Sequence, residues 1–323
     1  MSIDEYRRIN KSFKRVLIFK IGLNSGFFSE YNNMILAMLY CLENRIQFKL
    51  SSNGANFNTQ FGWNGYFDSF CDSVVDNRLH YRTLDWRYSL KLVVKRFDRL
   101  AVHSLFSYMS FWKKELLTQD VFGKCRDKLR YRKRHVIPEL GFRGSTQEIC
   151  SMLVCLTWKY NDSTNKRIKE ILKTLSLPDK YVSIHVRRGD KIVESPYYSL
   201  ERYFEKLGTK NKNLFVATDD YTVIEDIKKK YPDWNVWTLC SPLERGYVQS
   251  VADKESFQEK DRNMILLFAT MEILNRSERF VGTYNSNIGM FQGMRNPSIC
   301  SGVDFDHWVC LLYTSDAADD LIG

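Results

Sequence analysis

The stretch that decides the fold is Tyr181-Val182-Ser183-Ile184-His185-Val186-Arg187-Arg188-Gly189-Asp190-Lys191, with Glu194 shortly after it. Residues 181–186 are apolar and β-branched and follow the turn signal Leu177-Pro178-Asp179, which predicts a short buried strand. Open α/β sheets bind ligands beyond the carboxyl ends of their strands, and paired arginine forks suit phosphate oxygens. The stretch therefore indicates an anion-binding site. A strand that ends in a solvated charge cluster is the alternative.

The same pattern recurs through the second half of the chain. Strands are predicted at 214–218, 234–239 and 279–283, with helices at 199–207, before Lys230, at 168–175 and at 262–274. Polar residues follow the strands: Asp219-Asp220 after one, and the loop Tyr284-Asn285-Ser286-Asn287 after another. Alternating strands and helices with polar strand ends predict a parallel, doubly wound α/β domain.

The first half opens with a βαβ pattern. A strand at 15–20 precedes the loop Gly22–Gly26, and a helix from Tyr31 to Glu43, with Ser29 as its N-cap, leads to a strand at 47–50. Because the loop is not a G-x-G-x-x-G fingerprint, it is weak evidence for a dinucleotide site. The aromatic residues of 51–70 are typical either of a sugar-binding surface or of a loop packed on the core.

The length of 323 residues favours two domains. We predict an N-terminal α/β domain over 1–170 and a second domain over 171–309. Residues 310–323 resemble the translated text of a sequencing adapter, and we expect them to be an artefact. With 44% hydrophobic and 27% charged residues, the composition is that of a soluble globular protein.

The chain has no run of eighteen apolar residues, and its start lacks the apolar core of a signal peptide. Eight scattered cysteines without a C-x-x-C pair agree with a reducing compartment. We therefore expect a cytoplasmic protein.

The positive charge is concentrated in residues 82–134. Fifteen Lys or Arg stand there against five Asp or Glu, a surplus of ten that equals the net charge of +10. The segment includes an amphipathic helix predicted at 87–100, on whose polar face Arg87, Lys91, Lys95 and Arg99 repeat every four residues. Such a patch fits a solvated face, a polyanion such as nucleic acid, an anionic membrane surface or an acidic substrate. No nucleic-acid-binding motif accompanies it, so a nucleic-acid partner is not expected.

Four blocks together resemble the α1,6-fucosyltransferases, both the rhizobial chito-oligosaccharide enzymes and the eukaryotic core enzymes. They are His185–Lys191 with Glu194, Ala217-Thr218-Asp219-Asp220, the helix end Met271–Ser277, and Phe280–Asn287. The resemblance covers about 175–297. It implies a GT-B-like fold with two Rossmann-type domains that face a cleft. It also implies GDP-fucose as donor, a glycan or glycolipid as acceptor, inversion at the anomeric carbon, and no metal.

The resemblance also implies roles for individual residues. Arg187 would stabilise the leaving β-phosphate, Glu194 would take the proton of the acceptor hydroxyl, and Lys191 would relay it. The donor-binding residues would be His185, Arg187, Arg188, Asp190, Asp219, Asp220, Thr270, Thr283, Ser286 and Asn287.

Two positions depart from the family pattern. Glu194 lies one residue nearer the histidine than the family base does, and Thr270 stands where the family has an aspartate that reads guanine. Glu272 is a nearby substitute for that aspartate. An α1,2-fucosyltransferase, whose family shares a similar H-x-R-R-G-D block, or another nucleotide-sugar transferase is the alternative enzyme. A basic nucleic-acid-binding protein is the alternative from another class.

Overall fold

The computed structural model describes residues 1–23, 25–57, 61–80, 114–126, 134–189, 197–246 and 255–309. These residues form two compact units that divide between Lys159 and Tyr160. The predicted boundary at 170 falls instead inside the helix Asp162–Leu175. That helix belongs to the second unit because it packs along the helix Phe257–Arg276 of the same unit.

The first unit contains a parallel sheet in the order β2-β1-β3. Its strands are β1 (Arg15–Lys20), β2 (Ile46–Ser51) and β3 (Glu115–Leu117). Its helices are α1 (Ile3–Ser12), α2 (Phe27–Glu43), α3 (Thr118–Cys125) and α4 (Thr146–Thr157), and an antiparallel hairpin joins β4 (His135–Ile137) to β5 (Phe142–Gly144). The βαβ opening expected from the sequence is present as β1, α2 and β2, with parallel pairing of the two strands.

Helix α2 begins earlier than the sequence predicts. Its N-cap is Gly26, not Ser29, because Phe27 and Phe28 already lie in the helix and are buried. Glu30, in the first turn of the helix, is buried as well. Its carboxylate accepts hydrogen bonds from the backbone N–H groups of Gly22 and Ser25, each at 3.2 Å. The first turn is therefore bonded to the loop that precedes it.

The aromatic loop after β2 is packed on the core. Phe57, Trp63, Tyr66 and Phe67 are buried, and Trp63 stacks on Phe67 with ring centroids 4.3 Å apart. Phe61 is 65% exposed. Burial of four rings favours the packing interpretation over a sugar-binding surface formed by the same rings.

The second unit contains a parallel sheet in the order β10-β9-β6-β7-β8. Its strands are β6 (Val182–Val186), β7 (Asn213–Thr218), β8 (Asn235–Trp237), β9 (Phe280–Gly282) and β10 (Cys300–Gly302). Its helices are α5 (Asp162–Leu175), α6 (Leu200–Leu207), α7 (Thr222–Lys230), α8 (Phe257–Arg276) and α9 (Asn287–Arg295). The predicted doubly wound α/β domain is confirmed.

Strand β6 is buried on both faces, as a central parallel strand should be. Val182, Ile184 and Val186 belong to an apolar cluster that also contains buried residues of α6 and α7. The alternate residues, Ser183 and His185, point to the opposite face. There the Ser183 hydroxyl lies 2.8 Å from that of Ser277, at the end of α8. This alternation puts His185 on the buried face of the sheet opposite the apolar cluster.

No helix in the described part of the chain is long and apolar enough to cross a membrane. Most of the basic segment, including the helix predicted at 87–100, lies outside the described residues, as does the tail from residue 310.

Candidate active site

Three strand ends meet at one edge of the second sheet. Strand β6 lies between β7 and β9, and all three run parallel, so their carboxyl ends point the same way. The residues that follow them, Arg187, Asp219 and Thr283, therefore leave the sheet side by side. Carboxyl ends of adjacent strands are where open α/β sheets bind ligands.

Asp219 orients the turn Arg187–Gly189, called here the arginine turn. Its Oδ2 accepts a hydrogen bond from Nη1 of Arg187 at 2.7 Å, and its Oδ1 accepts one from the backbone N–H of Arg188 at 2.7 Å. The two side chains are 23% and 14% exposed, so the pair lies partly out of water. A guanidinium carries five N–H donors, so it can hold a carboxylate and a second anion at once. Asp219 thus fixes the direction of an arginine that is suited to phosphate.

His185 is buried and neutral. Only 4% of it is exposed, and burial lowers its pKa to about 4; the charge of Asp219 opposes this shift and that of Arg187 adds to it. A Cβ placed on Gly282 of β9 would lie 3.7 Å from the histidine Cβ, so the two strands are close at this point. Nδ1 has no hydrogen-bond partner among the described residues. The ring therefore presents an uncharged hydrogen-bonding group at the strand end.

Asp220 serves a different function from Asp219. Its Oδ1 accepts hydrogen bonds from the backbone N–H and the hydroxyl of Thr222, at 3.0 and 2.8 Å, at the start of α7. Local bonding of this kind fixes a helix start. The two adjacent acids, predicted together as donor-binding residues, are thus directed to different partners.

The loop between β9 and α9 ends in a capped helix. The Ser286 hydroxyl accepts from the backbone N–H of Gly289 at 3.0 Å and donates to the carbonyl of Thr283 at 2.8 Å. The turn is so tight that a Cβ on Gly289 would lie 2.0 Å from that carbonyl oxygen. Because the hydroxyl is used by the cap, an anion at this helix end would meet backbone amides of the first turn, which begins at Asn287.

Asp304, which the sequence did not single out, supports the same loop. It follows β10, and its two carboxylate oxygens accept from the backbone N–H groups of Tyr284 and Asn285 at 2.9 and 2.8 Å. The only signal in the sequence was an acid after a strand of three residues. That strand was itself not predicted.

Two further residues that the sequence did not single out, Tyr197 and Gly246, contact the arginine turn or Asp219. The guanidinium of Arg188 lies over the ring of Tyr197, 4.5 Å from its centroid, and the Tyr197 hydroxyl donates to the carbonyl of Gly189 at 2.9 Å. On the other side, the backbone N–H of Gly246 donates to the carbonyl of Asp219 at 2.8 Å.

The residues proposed to read guanine lie on α8. The Thr270 hydroxyl donates to the carbonyl of Leu266 in its own helix at 2.9 Å, which leaves its oxygen as an acceptor. Glu272 forms an ion pair with Arg295 at 2.7 Å, and both side chains are 13% exposed. Its carboxylate is held by α9, which argues against the substitution of Glu272 for the family aspartate.

Asp190, Lys191 and Glu194 lie outside the described residues. The base and proton relay predicted there remain predictions. The described residues on either side of that segment are Gly189 and Tyr197.

The first unit has a comparable strand–loop–helix arrangement, but its loop is already bonded. The amides of Gly22 and Ser25, which follow β1, donate to the Glu30 carboxylate. In nucleotide-binding units, amides at this position hold phosphate. A buried carboxylate at the same amides would repel one. In the second unit, by contrast, no carboxylate of the described residues is paired with the guanidinium of Arg188.

Residues 148–288 match a family model described as α-(1,6)-fucosyltransferase N- and catalytic domains. Over this segment the chain is similar to the α1,6-fucosyltransferases. The matched segment includes the arginine turn, Asp219 and the β9–α9 loop, so the predicted family resemblance is confirmed where the site lies.

Two curated relatives carry the name α-(1,6)-fucosyltransferase. The one from Caenorhabditis elegans is 24% identical over 156 residues, which are 43% of this chain and 26% of the relative. The one from Drosophila melanogaster is 27% identical over 129 residues, which are 36% of this chain and 20% of the relative. The chain thus spans about a quarter of the length of the curated relatives it matches.

Solved structures show the fold. A crystal structure of NodZ α-1,6-fucosyltransferase soaked with GDP-fucose has a TM-score of 0.52 at 11% identity, covering 88% of this chain and 93% of that one. A selenomethionine form of NodZ from Bradyrhizobium has a TM-score of 0.51 at 11% identity, covering 91% and 95%. The α/β, GT-B-like fold class predicted from the sequence is confirmed.

Proposed function

We propose that this fucosyltransferase-like chain moves fucose from GDP-fucose to a hydroxyl group of a glycan or glycolipid, with inversion at the anomeric carbon. The observation that carries the proposal is Arg187, held by Asp219 at the carboxyl edge of the second sheet, inside the segment that matches the fucosyltransferase catalytic model. NodZ, which shares the fold, has been crystallised with GDP and soaked with GDP-fucose.

The chemistry requires fixed positive charge on the leaving diphosphate. Cleavage of the bond between fucose and phosphate leaves GDP with growing negative charge, and preorganised donors stabilise that charge best. Arg187 meets this requirement because Asp219 already sets its direction, so little reorganisation is needed as the charge develops. The first-turn amides of α9 would add partial positive charge to the same product.

In this proposal the donor binds to the second unit, which begins at Tyr160. Two features support that choice: the arginine turn lies there, and the corresponding loop of the first unit is bonded to Glu30. His185, neutral above pH 4 and buried, would offer the nucleotide a hydrogen-bonding edge without repelling a guanine N–H by charge.

The acceptor hydroxyl needs a base on the far side of the sugar. Glu194, with Lys191 as relay, stays the predicted base, and Asp190 a predicted donor contact. The α1,6 linkage is proposed because relatives and fold neighbours carry that name. An α1,2 linkage is the competing outcome, and product linkage analysis separates the two.

We propose that catalysis needs no metal ion. Asp219 is bonded to Arg187 and to a backbone amide, and Asp220 is bonded to Thr222. Bonds of this kind use the carboxylate oxygens that a D-x-D metal motif would need.

A screen of nucleotide sugars for thermal stabilisation tests the donor. GDP-fucose and GDP should raise the unfolding temperature, because a ligand at a hundredfold excess over its Kd stabilises the fold by about 2.7 kcal/mol. UDP-sugars should not. Arg187→Ala should remove the effect, whereas Arg167→Ala, which breaks another arginine–aspartate pair of the same unit, should keep it. Stabilisation by UDP-sugars but not by GDP would contradict the proposal.

We also propose that the basic segment 82–134 contacts an anionic membrane on which a lipid-linked acceptor resides. Its support is the charge surplus of ten, together with about 1 kcal/mol per basic residue near such a surface. Binding to anionic but not neutral vesicles, lost at high salt and after charge reversal of Arg87, Lys91, Lys95 and Arg99, is the expected result. Equal binding to both vesicles, or to neither, would contradict it.

A further inference from the structure

We propose that Tyr197 is a positioning residue that holds Arg188, so that both arginines of the arginine turn act on the diphosphate of the donor. The inference rests on the proposed function, since it assigns a second cation and its support to the same anion site. Tyr197 lies outside the motif of residues 185–194, so the sequence pattern assigned it no role.

The two arginines are held in different ways. Arg187 is paired with the carboxylate of Asp219. Arg188 uses only its backbone N–H on that carboxylate, at 2.7 Å. Among the described residues its guanidinium has no carboxylate partner and lies over the Tyr197 ring instead. Among the described residues its charge is therefore held in place without being neutralised, as an anion-binding arginine requires.

Tyr197 contacts the turn twice. Its ring lies under the Arg188 guanidinium, 4.5 Å from centroid to Cζ, and its hydroxyl donates to the carbonyl of Gly189 at 2.9 Å. The two contacts fix the backbone at Gly189 and the side chain of Arg188. A long arginine side chain loses much rotamer freedom when it binds a ligand, and prior ordering on a ring lowers that loss.

The exposure of Tyr197 argues against a role in the hydrophobic core. The residue is 40% exposed and is not among the residues that form or pack against the apolar cluster of β6. Tyr198, the next residue, packs on that cluster and carries Arg202 over its ring at 5.0 Å. The chain thus offers two arginine–tyrosine contacts one residue apart, of which one belongs to the arginine turn.

A double-mutant cycle on GDP affinity tests the proposal. Isothermal titration compares wild type, Tyr197→Leu, Arg188→Ala and the double variant. We expect Tyr197→Leu to weaken GDP binding about fivefold, the upper end of an exposed cation–π contact, and to have no further effect in the Arg188→Ala background. A structural role would weaken binding equally in both backgrounds. Arg202→Ala, the control, should leave GDP affinity unchanged.

Tyr197→Phe gives a second reading if Tyr197→Leu does not fold. It keeps the ring and loses the hydroxyl, so GDP affinity should fall by no more than about threefold, the effect of one hydrogen bond. Wild-type affinity in Tyr197→Leu, or an equal loss with and without Arg188, would overturn the role of Tyr197 alone. No GDP binding by the wild-type protein would overturn the donor site, and the role of Tyr197 with it.

Discussion

Gly246→Ala tests how closely the arginine turn is held from the side opposite Tyr197. Gly246 has φ +95°, and its backbone N–H donates to the carbonyl of Asp219. An added Cβ would lie 2.7 Å from Cα and 3.1 Å from N of Gly189, both backbone atoms that cannot rotate away. The substitution therefore forces either the loop that contains Gly246 or the arginine turn to move.

Two penalties can be separated. A positive φ costs alanine about 1–2 kcal/mol, and crowding against backbone adds about 1–3 kcal/mol. Gly54→Ala carries only the first, since Gly54 has φ +67° and open space around its Cβ position. If the turn yields, the binding-competent state becomes less populated, and GDP affinity falls by the crowding term, about fivefold to a hundredfold.

The assay is isothermal titration of GDP, with thermal unfolding of both variants alongside. Gly246→Ala should weaken GDP binding while Gly54→Ala lowers only the unfolding temperature. A Gly246→Ala protein with wild-type GDP affinity and the same unfolding temperature as Gly54→Ala would refute the close contact between the two glycines.

Three further predictions concern charge at the same site. Asp219→Asn should weaken GDP binding about tenfold or more, since a hydrogen bond to a charged group contributes about 1.5–3 kcal/mol and the amide turns a donor toward the guanidinium; Asp220→Asn is the titration control and should change it less. For His185, the folded pKa of about 4 lies below the unfolded value, so its contribution is complete above about pH 6.5 and is lost as pH falls toward 4. The free energy of unfolding, measured with denaturant, should therefore fall by at most about 3 kcal/mol over that interval. In His185→Gln it should fall by less. Turnover should survive EDTA; its loss in chelator and recovery with Mn²⁺ or Mg²⁺ would identify a metal motif at Asp219-Asp220.

Local sequence signals predicted the second unit well. Strand β6 was placed within one residue of its start because β-branched residues follow a Pro-Asp turn, and the helix predicted at 199–207 is α6, Leu200–Leu207. Helix α8 begins five residues before its predicted start, at a capping box formed by Ser256 and Glu259. Elements with a strong periodicity were found, and their ends were less well defined.

The elements that were missed depend on partners far along the chain. Strand β10 has three residues and forms only because β9 lies beside it. Asp304 acquires its function from that pairing, which brings it to the amides of Tyr284 and Asn285. Helix α2 starts early because Phe27 is buried among distant rings, including those of Phe57 and Phe67. No local pattern contains this information.

The candidate site was predicted as a set of residues but not as a geometry. That Arg187 and Asp219 both follow strands was evident from the sequence. That one carboxylate holds both the Arg187 side chain and the Arg188 amide required the parallel pairing of β6 with β7. Tyr197 and Gly246 contact the site through loops that are apart in sequence, and sequence periodicity does not predict contacts between loops.

GDP release from GDP-fucose by Arg187→Ala, compared with Arg187→Lys and Arg167→Ala, tests the role of Arg187 most directly. We expect Arg187→Ala to lose at least about 3 kcal/mol in transition-state stabilisation, a hundredfold or more in rate. Lysine should restore part of the rate because it has charge but no fork, and Arg167→Ala should turn over normally. An Arg187→Ala protein that kept more than half of the wild-type rate would contradict the claim that this arginine stabilises the leaving diphosphate.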